Sequence, residues 1–155
     1  MMNQSARILA LAILLSVPAV PALASGGLWC DAADSNLKLE VRAGVTRGMG
    51  GRFFDFNGSL DVIAKGLAPV FAKIDLKDKL SQSWLDGDEA KLEFYHEVDA
   101  AERVDQFSLI IETEALPDTD GEYEGTYLLV SYGPALEGTD EGRLELTGKV
   151  TCGAD

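Results

Sequence analysis

Apolar and polar residues alternate with a period of two in run after run of this chain, the pattern of strands with one buried face. Leu37, Leu39 and Val41 alternate with Lys38, Glu40 and Arg42, just after an Asp34-Ser35-Asn36 turn. Phe54, Phe56, Leu60 and Val62 then share one parity, with Gly58 between them. Asn57-Gly58 has the composition of a two-residue hairpin turn. Such a turn would pair Phe56 with Ser59 and Phe54 with Asp61 and mix the two faces, so one continuous strand bent at Gly58 is expected instead. Further on, Leu92, Phe94, His96 and Val98 alternate with Lys91, Glu93, Tyr95 and Glu97, after a turn at Asp86-Gly87-Asp88. Phe107, Leu109 and Ile111 make the next strand, a turn over 117–121 returns the chain into Tyr123, Tyr127 and Leu129, and Leu144, Leu146, Val150 and Cys152 make the last. Residues 75–85 suit either a strand or a short helix, because Leu76, Leu80 and Trp84 also stand at helical spacing.

Short alternating runs separated by Gly, Asp, Asn and Pro turns define an all-β fold. The expectation is an antiparallel barrel or sandwich of seven or eight strands, with room for one short helix. Residues 1–24 stand apart from this pattern. Arg7 is followed by an almost wholly apolar run over 8–20 and by Ala22-Leu23-Ala24, a small-x-small cleavage site. That is the form of a secretory signal peptide, and the run is short of the ~20 apolar residues of a membrane span. A single β domain over residues 25–155 is expected, in the periplasm or secreted, with no transmembrane segment in the mature chain.

Compartment gives the cysteines their meaning. The chain has two, Cys30 and Cys152, near the two ends of the expected domain. In an oxidising compartment they are expected to pair and to hold the terminal strands side by side. Two cysteines, no Cys-x-x-Cys and a single His argue against a thiolate zinc site or a redox enzyme, and no pattern implies a cofactor.

Charge narrows the partners. The chain carries 13 basic and 26 acidic side chains. Removing the leader removes Arg7 and no acid, which leaves 12 against 26, a formal charge of −14. Such a surface repels nucleic acid and anionic lipid. The acids concentrate in one hairpin, where Glu112, Glu114, Asp118, Asp120, Glu122 and Glu124 occur with no basic residue among them. Like charges facing each other across a ladder cost stability, so the hairpin reads first as a solvated acidic tip and, where something compensates the repulsion, as a docking site for a basic protein with Tyr123 as its apolar anchor. Asp118, Asp120 and Glu122 around Gly121 are also calcium candidates, although the spacing lacks a full calcium loop and its distal Glu.

Other groups have weaker claims. A register through the Asp86 turn sets Leu80 against Phe94 and Asp78 against His96, the raw material of an acid-base pair. Ile110, Leu128, Val130 and Tyr132 lie opposite the main alternation and are expected to pack inside the domain; otherwise they form a recognition patch rimmed by acids. Trp29 and Trp84 are expected in the core or against the disulfide, with an aromatic ligand platform as the alternative. The glycine-rich stretch between Arg42 and Arg52 reads as a flexible connection. The function expected is therefore a non-enzymatic binding or inhibitory module docking a basic protein through its acidic hairpin. The alternatives are a β-barrel holding a small apolar ligand or lipid, a structural envelope protein, and a hydrolase using Asp78 and His96.

Overall fold

Nine antiparallel strands hydrogen-bond into one sheet in the computed structural model, which describes residues 25–46, 53–66, 69–86, 88–100, 103–133 and 142–154. They are β1 Ser25–Ala33, β2 Leu37–Thr46, β3 Phe53–Val62, β4 Lys73–Asp75, β5 Leu80–Asp86, β6 Glu89–Ala100, β7 Arg103–Ala115, β8 Glu122–Tyr132 and β9 Arg143–Ala154. The leader expected over 1–24 and the glycine-rich positions 47–52 lie outside the described residues. Spatial order is β4-β3-β2-β1-β9-β8-β7-β6-β5. Two meanders, β1–β4 and β5–β9, are therefore joined by one strand ladder, where the first strand pairs with the last.

The sheet closes on itself. Leu76 N donates to Gly58 O of β3 at 2.9 Å, and three residues later Lys79 O accepts from Tyr95 N of β6, also at 2.9 Å. β4 and β5 thus form one interrupted wall strand that leaves β3 and joins β6. Phe56 of β3 meets Phe94 of β6 across the interior, ring centroids 5.5 Å apart. With β4 and β5 taken together the wall has eight strands, so the alternation describes a barrel rather than a sandwich. A cross-strand row that starts at Asp75 returns to the same run at Asp86, eleven residues along. That stagger is what tilted strands need to close a small barrel.

The helix considered for 75–85 is not formed; that span is a strand end, a turn and β5. A single 3₁₀ turn occurs earlier, at Pro69–Phe71, and drops Phe71 fully buried into the core. The hairpin at Asn57-Gly58 is absent and β3 runs through as expected. Gly58 lets β3 lie close to β2, since a Cβ there would stand 2.8 Å from Glu40 O. A bulge changes its face: Arg42 opposes Asn57 and Gly44 opposes Phe54, leaving Ala43 against both Asp55 and Phe56. Asp55 takes up the extra residue at φ 49°. Phe53 and Phe56 pack on the core, while Phe54 turns outward over Gly44.

Interior positions come from every strand of the wall and include Leu39, Val41, Leu60, Leu92, Phe94, Phe107, Leu109, Tyr127, Leu129 and Val150. Trp29 and Trp84, expected in the core, are on the outer face; Trp29 lies over Gly153, and Trp84 is 55 % exposed. Ile110, Leu128 and Val130 also face outward, half-buried by their neighbours, and Tyr132 is exposed. A single curled sheet places no second layer over these positions, which is why packing inside the domain does not occur.

Cys30 and Cys152 are direct cross-strand partners, bonded with Cα atoms 4.0 Å apart and both buried. Their strands share only four residue pairs, Leu28–Asp31 against Ala154–Thr151. The disulfide therefore reinforces the shortest ladder joining the two meanders, across a separation of 122 residues. Replacing both cysteines by Ser should cost about 3–5 kcal/mol, read as a lower urea midpoint than that of the oxidised protein. Equal midpoints would mean that the four-pair ladder holds the meanders unaided.

Candidate functional site

The acidic hairpin lies at the end of the barrel that also carries the chain's C-terminus. β7 and β8 pair in the register that sets Glu114 directly opposite Glu124 and Glu112 opposite Thr126. Glu112, Glu114, Asp118, Asp120, Glu122 and Glu124 are all exposed on this hairpin. Its tip is held rather than loose. Leu116 N donates to Glu122 O at 2.8 Å, and the Thr119 hydroxyl donates to Leu116 O at 2.9 Å. Ala154 N donates to Gly121 O at 2.7 Å, and Gly121 has φ 75°, with room for no side chain against Ala154 O. Asp118 adopts φ 63°, a conformation Asp tolerates better than most residues.

Pairing adds acids that the sequence reading had treated only as a turn. Ala115 N donates to Asp88 O, and Glu89 stands opposite Glu114. One outward row crosses the sheet through Asp86, Glu89, Glu114, Glu124, Thr151, Asp31, Glu40, Ser59 and Asp75, seven carboxylates and no cation. Cations beside the row answer part of it: Arg42 bridges Asp31 at 2.9 Å, Lys38 bridges Glu40 at 3.1 Å and Lys91 bridges Glu89 at 3.5 Å. Glu112, Glu114, Asp118, Asp120, Glu122 and Glu124 make no ion pair among the described residues. The field is thus strongest on the part of the wall made by β6, β7 and β8.

Two of the expected roles change on this surface. Tyr123 shares the inner parity of β8, sits opposite Cys152 and is 7 % exposed, so it is a core residue and not a docking anchor. Asp118, Asp120 and Glu122 do not converge, and among the described residues no three His, Cys, Asp or Glu side chains gather as a metal site. The apolar groups that do flank the acids are Trp84 and Ile110. They border an open outer groove of about 400 Å³ together with Gln82, Lys91, Glu93 and Glu112. Trp84 is bulky enough for the core, but its place opposite Lys91 on the outer parity of β5 leaves it exposed.

His96 has other company than expected. The ladder does pair Leu80 with Phe94, but a bulge after Leu80 shifts the rest of β5 by one residue, and pairing stops before Asp78. Asp78 occupies the turn at φ 61°. His96 faces inward against Phe71 and Phe107, edge-on at 6.3 and 6.2 Å. Burial and then the Lys79 charge push its pKa below 6.5, with Glu97 opposing. No hydrogen bond joins Asp78 to His96 among the described residues, so the two do not form the pair that hydrolysis would need.

A second polar cluster closes the opposite end. Tyr127 is buried on the inner face, and its hydroxyl donates to Asp34 Oδ2 at 2.6 Å. Asp34 Oδ1 accepts from the Asn36 and Leu37 amides at 2.7 and 3.0 Å, and Asn36 Nδ2 donates to Thr147 O at 3.1 Å. This ties the β1–β2 turn to β8 and β9, across the line where the two meanders join. Burial would raise the Asp34 pKa, but the Tyr127 hydroxyl and the two amides outweigh it and hold the carboxyl below 3.8. Burial first, then the bond to Asp34, pushes the Tyr127 phenol up to about 12.

These shifts have definite signs. The Asp34 contribution is complete above its unfolded value of 3.8 and is lost as pH falls through the lower folded value. The Tyr127 contribution is complete below 10 and is lost as pH rises toward 12. Tyr127→Phe should therefore cost about 1–3 kcal/mol at neutral pH and flatten the stability profile at both extremes, measured by urea unfolding across pH. His96 acts in a separate window. Stability should fall as pH drops below 6.5 because the unfolded chain then binds the proton more readily, and His96→Phe should remove that slope.

Compared with known proteins, the chain matches no family model, no curated protein and no solved structure, so its function is argued from its own geometry.

Proposed function

We propose that this protein is a non-enzymatic binding module of the periplasm or the extracellular space that docks a basic protein on the outer wall formed by β6, β7 and β8. The observation that carries this reading is the run Glu89–Glu114–Glu124, three carboxylates directly opposed on adjacent strands. Glu112 and Glu122 border the run with no ion pair among the described residues. Directly opposed like charges each cost a few tenths of a kcal/mol up to about 1 kcal/mol. A partner with complementary charge relieves that repulsion on docking and is steered to the site by it. The disulfide is in keeping with an oxidising compartment.

The interior supports this reading over an enclosed apolar ligand. Phe71, Phe94, Phe107 and Tyr127 are fully buried there, each filling space that a ligand would need. His96 lies against two of those rings without a carboxylate partner, which weighs against the hydrolase alternative.

The double variant Glu114→Gln/Glu124→Gln separates function from stability. It should raise the stability of the isolated protein by about 0.5–1 kcal/mol at low salt, with the gain shrinking in ~1 M salt. The same substitutions should weaken recovery of a basic partner cross-linked to the protein in its own envelope. Unchanged recovery of that partner, with the stability gain present, would overturn the docking reading.

A further inference from the structure

We propose that the outer groove beside Trp84 receives an arginine side chain of the basic partner; this rests on the docking reading above. Trp84 stands on β5 opposite Lys91, which in turn stands opposite Glu112 of β7. One step along the strands, Gln82 opposes Glu93 and Glu93 opposes Ile110. The groove therefore has an indole wall, an Ile110 floor and two carboxylates at diagonal positions, within a volume of about 400 Å³.

Charge selects the occupant. The cation already in the groove, Lys91, is engaged by Glu89 at 3.5 Å. Glu93 and Glu112 make no ion pair among the described residues. The lining then holds Glu89, Glu93 and Glu112 against Lys91, an excess of two negative charges. Trp84 is 55 % exposed, so its ring is open to a stacking group. A guanidinium satisfies both features at once: its flat face stacks on an indole while its N–H fork donates to carboxylates at the edge. An ammonium offers neither the planar face nor the fork, and a neutral side chain leaves the carboxylates unanswered. An exposed tryptophan otherwise wasted on an edge strand, set among unpaired acids, thus has the chemistry of an arginine seat.

The test is an NMR titration of the oxidised, ¹⁵N-labelled protein with an acetylated and amidated Gly-Arg-Gly peptide, following the two indole N–H signals assigned through Trp29→Phe. The Trp84 signal should move saturably while the Trp29 signal stays in place. Glu93→Gln/Glu112→Gln should weaken binding by about tenfold or more, and the citrulline peptide, equal in shape but uncharged, should not bind. Calorimetry should find no arginine-peptide binding to Trp84→Ala. Equal binding of the lysine or citrulline peptide, equal movement of both indoles, or no saturable shift would overturn the assignment. The two proposals fail separately. Partner recovery that depends on Glu114 and Glu124 but survives Trp84→Ala overturns the arginine seat and leaves the docking surface standing. Arginine-peptide binding without any acid-dependent partner does the reverse.

Discussion

The β1–β9 ladder is the interaction on which the rest of the molecule depends. Each meander pairs its strands with sequence neighbours, so its contacts form at low loop-closure cost. Only the seam joins residues from opposite ends of the chain, and it does so with four pairs and one disulfide. Without it the two meanders would expose the inward faces of Leu28, Cys30, Val150 and Cys152 and the barrel would have no reason to close. The Asp34–Tyr127 cluster and the Asn36–Thr147 bond secure the same seam at its far end. Covalent and polar restraints thus concentrate at the short ladder that joins the two ends of the chain.

Closure also explains where the charge sits. In a barrel every strand has one face inside, and most of the carboxylates fall on the other. Alternation places acids from different hairpins in one cross-strand row, although they are far apart in sequence. Cations on the same face pair with Asp31, Glu40 and Glu89, whereas Glu114 and Glu124 make no ion pair among the described residues. The outer apolar groups Trp84 and Ile110 lie beside these carboxylates, so charge and apolar area share one surface.

Much of this was legible from the pattern of residues. The period-two runs identified most of the strands, the continuity of β3 through Gly58, and the opposed acids of the β7–β8 hairpin. Three features were hidden, each for a local reason. The bulge at Asp55 turns Phe54 outward, and period-two counting cannot register an inserted residue. Leu80 keeps the register that would set Asp78 against His96, but the ladder ends there and the chain turns at Asp78, which alternation does not announce. Tyr123 read as a surface anchor because it lies among acids, yet its parity places it opposite Cys152, inside.

The sequence by itself determined the all-β class, the pairing of its two cysteines and the acidity of one hairpin, because alternation, cysteine number and charge are read without knowing the fold. Tertiary structure alone decided that the sheet closes with β4 and β5 as one interrupted strand. It also decided that Glu89 joins Glu114 and Glu124, and that Trp84 lines a groove rather than the core. These depend on the register between strands distant in the chain, and register is set by bulges, edge positions and barrel stagger rather than by any single segment.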